Sequence, residues 1–87
     1  MCGTGIGMSI AANKVEGIRC AKVSNENEAR LAREHNNANI IAISYTTPIN
    51  DIKEMVRIFL KTSFSNEERH IRRINKITEY ERVNHES

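Results

Sequence analysis

Residues 17–44 read GIRCAKVSNENEARLAREHNNANIIAIS, and this stretch decides the fold. Residues 17–23 and 39–44 are short and rich in Ile or Val. The second is continuously apolar, the pattern of a parallel strand covered on both faces. Between them Asn25 stands three residues before Glu28, a helix-start signal, and Ala29, Leu31 and Ala32 follow on the way to His35. A helix is expected over 25–35. Strand, helix, strand in this order is a crossover unit, which predicts an α/β chain with parallel strands.

Upstream, residues 2–9 read CGTGIGMS, a glycine-rich opening that runs into a short helix expected over 6–13. Downstream of Pro48, Ile49, Ile52, Met55, Val56, Phe59 and Leu60 recur at helical spacing. Ser65 with Glu68 three residues on reads as a capping box for a last helix carrying Ile71, Ile74 and Ile77, which frays into a polar tail over 83–87. Two strands make a poor sheet, and a glycine-rich anion loop normally follows a strand. The reading therefore expects residues 1–87 to be a single partial domain whose earlier strands are missing.

A chain of 87 residues with one proline, four glycines and no tryptophan is too short for two domains. Folding alone buries about 60% of its unfolded surface, so a well-made core or a partner is needed. Cys2 and Cys20 have neither CxxC nor Cys/His zinc spacing, so no structural metal is expected and a reducing, cytoplasmic setting suits them. No run reaches membrane-spanning length. Thirteen Lys and Arg against eleven Asp and Glu leave a net charge of +2, too mild to imply nucleic acid.

Gly3, Gly5 and Gly7 alternate just before a helix, so backbone N–H groups there can converge on an anion; the alternative is a flexible terminus. No Gly-Lys-Ser/Thr follows and the spacing is not G-x-G-x-x-G, which disfavours nucleotides. Cys2 stands where a helix N-terminus lowers a thiol pKa and makes it a candidate base, whereas Cys20 reads as a small hydrophobe. His35 either meets the C-terminal dipole of its helix or is an acid–base imidazole near the mouth of the sheet. His70 and His85 have weaker claims. Arg69, Arg72, Arg73 and Lys76 share one side of the last helix and could grip a phosphate, contact nucleic acid or form a solvated face.

CGTGIGMSIAANK (2–14), GIR (17–19), LAREHNNAN (31–39) and RHIRR (69–73), taken together and in order, resemble type B ribose-5-phosphate isomerases. The resemblance covers roughly the second half of that family's sequence. It implies the C-terminal part of a Rossmann-like parallel sheet sandwich, with the N-terminal strands missing. It also implies interconversion of ribose 5-phosphate and ribulose 5-phosphate through an enediolate, in the pentose phosphate pathway, without metal or organic cofactor. By the same resemblance Cys2 is the base and Gly3, Thr4, Gly5, Ile6 and Gly7 form the loop whose amides hold the enediolate, with Thr4 contributing to catalysis. His35 is the ring-opening group, Asn36 a substrate ligand, and Arg69 with Arg73 the phosphate clamp. Thr46 stands where the family usually has a substrate-binding arginine. Family members are dimers with sites at the subunit interface, and their first half supplies an Asp-His pair. The expected partners are therefore the sugar phosphate and either a second copy or a complementary N-terminal fragment, without which activity is not expected. Sister enzymes acting on hexose 6-phosphates share the motifs. A non-catalytic remnant or split subunit serving as a binding or dimerisation partner is the alternative.

Overall fold

The computed structural model describes residues 3–86. Six elements follow in order: α1 (Ile6–Ala12), β1 (Cys20–Lys22), α2 (Glu26–Asn36), β2 (Ile40–Ala42), α3 (Ile49–Lys61) and α4 (Glu68–Glu86). The strands pair in parallel, with Cys20 opposite Ile40, Ala21 opposite Ile41 and Lys22 opposite Ala42. The α/β crossover expected from residues 17–44 is present. Around the start of β1, asparagine side chains add to the backbone pairing. Asn39 Oδ1 accepts from Arg19 N at 2.8 Å and its Nδ2 donates to Gly17 O at 2.8 Å. Asn13 likewise binds both backbone groups of Cys20, at 2.8 and 2.9 Å.

The core lies where α2 and α3 cover the sheet: Ala29 and Ala32 of α2, Met55 of α3, and Val23, Ala38 and Ile43 from the strand ends. Ile52 and Phe59 of α3 pack against it, so the predicted apolar stripe is confirmed as a helix, but only part of it is used. Ile49 and Leu60, on the same stripe, stay exposed. α1 packs on both strands yet buries none of its own residues, and Ile40 of β2 remains partly open. The sheet is thus well covered on one face and thinly on the other.

Two expectations are corrected. Ser65 does not cap α4: that helix starts at Glu68, and Asn66 between them has a left-handed φ of 60°, which breaks the helical path a capping box needs. The polar end expected as a tail continues α4 through Glu86, and Glu81 accepts a hydrogen bond from Gly17 N, drawing the helix back over the loop before β1. Among the described residues no helix is long and apolar enough to cross a membrane.

Candidate active site in two parts

The glycine loop sits beyond the C-terminal end of β2. Gly3 O accepts from Ser44 Oγ at 2.9 Å and from Tyr45 N at 3.2 Å, and Ser44 Oγ is 2.8 Å from Thr46 Oγ1. Thr46 thus braces the Ser44 hydroxyl that holds the loop. Gly5 enters α1 at φ 83°, and a Cβ there would stand 3.4 Å from the Ile43 carbonyl carbon. Only glycine fits both conditions without strain. Gly3 and Gly7 face open space, and Gly7 has no positive φ. Thr4 Oγ1 accepts from Ile6 N at 3.3 Å, and Ser9 N bonds Gly5 O at 3.1 Å, so the turn is well ordered as it enters the helix. The first N–H groups of any helix lack intrahelical partners, which gives such a turn its affinity for anions. Cys2, the expected base, lies outside the described residues.

The second group gathers where α2 ends and α4 begins. Asn37 ends α2 in the left-handed region at φ 47°, donating to Arg33 O while Ala38 N reaches Ala32 O. Arg33 pins this corner through Asn37 Oδ1 at 2.9 Å, Ala38 O at 2.6 Å and Thr62 O at 3.2 Å. His35 and Asn36 therefore project from a braced helix end. Ser65 N donates to Glu34 O at 2.9 Å, which docks the start of α4 on α2. The rings of His35 and His70 then stack with centroids 4.3 Å apart. His70 is 2% exposed, and its Nδ1 lies 2.8 Å from Ser65 Oγ. Burial pushes its imidazole below the usual value of 6.5, with His35 and Arg69 adding to the effect and Glu67 opposing it. Arg69 and Arg73 lie on the exposed first turns of α4, Arg69 3.3 Å from Glu67 Oε1. His70 and Ser65 are the residues sequence reasoning undervalued, one as a bystander and the other as a cap.

The two groups stand at opposite ends of the strands. The corner after His35 is tied to residues 17–19, ahead of β1, whereas the glycine loop is tied to residues 44–45, past β2. From Asn39 to Ser44 the strand rise alone separates them by on the order of 15 Å. The expectation that His35 lies near the mouth of the sheet is therefore wrong. A crossover helix runs back against its strands, so its C-terminus falls at their N-terminal end. A cleft of about 560 Å³ between α4 and β1 is lined by Cys20, Ile77 and Tyr80, and of the assigned residues only Asn36 reaches it. Burial pushes the Cys20 thiol up, in keeping with an inert side chain. Among the described residues no three His, Cys, Asp or Glu side chains cluster so as to hold a metal ion.

A family model described as Ribose/Galactose Isomerase matches residues 1–77. A putative sugar phosphate isomerase of Bacillus subtilis is 47% identical over 85 residues, covering 97% of this chain and 56% of the relative. A probable ribose-5-phosphate isomerase B of Mycoplasma genitalium is 48% identical over 84 residues, 94% of this chain and 54% of the relative. Among solved structures, the type B ribose 5-phosphate isomerase of Trypanosoma cruzi superposes with a TM-score of 0.92 at 50% identity, over 95% of this chain and 55% of that one. The chain thus spans about half the length of the relatives it matches. The family model spans most of the chain and a solved relative at 50% identity shares its backbone path, so the chain belongs to the ribose/galactose isomerase family.

Proposed function

We propose that this chain carries parts of an aldose–ketose isomerase site for ribose 5-phosphate and ribulose 5-phosphate. In this reading the site is completed only when other polypeptide joins it. The observation that carries the reading is the glycine loop held beyond β2, a turn into a helix N-terminus where an enediolate can be received by backbone amides. His35 opens the furanose ring, passing a proton from the C1 hydroxyl to the ring oxygen. The Cys2 thiolate then takes the proton from C2, and the enediolate oxygen is held by the amides of the Gly3, Thr4, Gly5, Ile6 and Gly7 loop. Return of the proton to C1, with the O2 hydroxyl proton passing to O1, gives the ketose. Asn36 binds the sugar, and Arg69 with Arg73 clamps the phosphate. The separation of the loop from His35 is too long for one five-carbon sugar phosphate to touch both groups of one chain, which supports a dimer whose copies exchange half-sites. The relatives' remaining length would supply the rest.

The test is isomerisation of ribose 5-phosphate by the purified chain, alone and mixed with a polypeptide matching the first half of a relative. Negligible turnover alone and turnover in the mixture are expected. In that mixture Cys2→Ala should abolish turnover. Arg69→Ala should raise KM by about 10- to 100-fold, the worth of a charge-assisted hydrogen bond. An active Cys2→Ala mixture would refute the base assignment. The exposed Ile10, Ile49 and Leu60 favour a second reading, a non-catalytic association partner, and a stable but inactive complex would support it.

A further inference from the structure

Among the described residues, His70 is the one polar or charged side chain that is fully buried, and the chemistry assigned above gives it no task. Its ring lies 4.3 Å from that of His35, at 30° between planes, and its Nδ1 is 2.8 Å from Ser65 Oγ. Ser65 Oγ also accepts from Glu67 N at 3.2 Å, so the serine is fixed by the backbone of the turn it stands in. His35 itself is only partly covered, with 37% of its side chain exposed, and so has little else to define its ring plane.

Charge decides what such a pair can do. Two imidazolium rings in contact repel strongly where solvent is excluded. The other groups facing the pair are Glu34 from α2, whose Oε1 is 3.6 Å from His35 Nε2, Glu67 from the turn before α4, and Arg69 and Arg73 from α4. Glu67 Oε2 stands 3.9 Å from His70 Nδ1, but that carboxylate is half exposed and shared with Arg69. A buried proton on His70 would face two guanidinium groups with one weak counter-ion.

We infer that His35 works as one half of a stacked imidazole pair, in which buried, neutral His70 is the positioning residue that fixes the His35 ring. The inference rests on the reading of His35 as the ring-opening group. In the proposed pair Ser65 Oγ donates to His70 Nδ1, and neutral His70 carries its ring hydrogen on Nε2. A ring-opening group must both take and give a proton at neutral pH, and that calls for a ring held in place.

The full chain labelled with 15N and 13C in histidine tests this by NMR, without need of turnover. At pH 7 His70 should show the neutral Nε2–H tautomer and a nuclear Overhauser contact to the His35 ring. Ser65→Ala should mix the His70 tautomers. His35→Phe, which keeps a ring but removes the charge, should raise the His70 midpoint. His70→Phe should leave the His35 ring ordered, and His70→Ala should leave it mobile while other amide signals stay in place. An imidazolium at His70 at pH 7, or a midpoint unmoved by His35→Phe, would overturn the inference. So would equal His35 mobility in the two His70 variants. Should His70→Ala unfold the chain, the Ser65 and His35 variants still decide. Failure of the isomerase reading would show separately, as a mixture with no turnover while the pair behaves as described.

Discussion

At Gly5 the backbone holds a φ of 83° against the Ile43 main chain, and alanine there must bear both the left-handed strain and the contact. Gly5→Ala should cost about 1–2 kcal/mol in urea unfolding. Gly7→Ala, inside α1 with open space and no positive φ, should be neutral or stabilising by up to about 1 kcal/mol. Equal losses at both positions would contradict the geometry. The alternation of Gly3, Gly5 and Gly7 made a loop legible in the sequence, but not which glycine is forced, because that depends on distant Ile43. His70 was less legible still. Set in RHIRR it reads as part of a charged surface, and only its stacking on His35 and its bond to Ser65 show it buried. That burial predicts a pH effect. The native His70 titrates below the 6.5 of the unfolded chain, so as the pH falls through 6.5 the unfolded state takes up a proton that the native state refuses. Stability should fall from there down to the native value and then level. Urea midpoints at pH 7.5 and 5.5 measure the drop, which His70→Phe should reduce.

Helix α2 starts as its sequence says: Asn25 Oδ1 accepts from Glu28 N at 2.9 Å, while Glu28 Oε1 accepts from Ser24 N at 2.7 Å. Asn25→Ala should therefore cost about 1 kcal/mol. In a domain of this size that loss corresponds to a fall of roughly 4–8 °C in thermal midpoint. A change within error would mean that tertiary contacts alone set the helix start. The same kind of signal misled at residues 65–68. Ser65 spends its N–H on Glu34 and its hydroxyl on His70, and left-handed Asn66 separates it from the helix. A capping pattern reports a local option, and a tertiary contact can claim the same hydroxyl first. Much the same holds for α3. Its periodicity fixed a helix, but which residues of the stripe are covered was decided by where α2 lies: Ile52, Met55 and Phe59 face it, while Leu60 is 76% exposed. The crossover was readable because strand and helix periods differ within one continuous stretch. The split of the site was not, since it follows from the direction in which α2 returns.

Across the whole molecule, surface is large for the length. A compact domain of 87 residues would have a radius of gyration of about 12 Å and expose about 5200 Å². This chain has 13.5 Å and 5900 Å², spread over 41 × 28 × 14 Å. The excess has identifiable sources: Ile6 and Ile10 on α1, Ile49 and Leu60 on α3, and Ile77 and Tyr80 on α4 are all more than half exposed. Apolar area left in water contributes nothing to offset the entropy of ordering the helices that carry it. Electrostatics offers little compensation, because the ion pairs Arg30–Glu34 and Arg57–Glu54 lie at the surface, where such pairs are weak. Calorimetry of the isolated chain should therefore show a broad transition with an enthalpy well under the roughly 60 kcal/mol typical of this length. A polypeptide matching the relatives' first half should sharpen the transition and raise its midpoint if it covers these faces. A single sharp transition of full enthalpy in the chain alone, unchanged by dilution, would mean that the exposed faces need no cover and that the fold is complete as it stands.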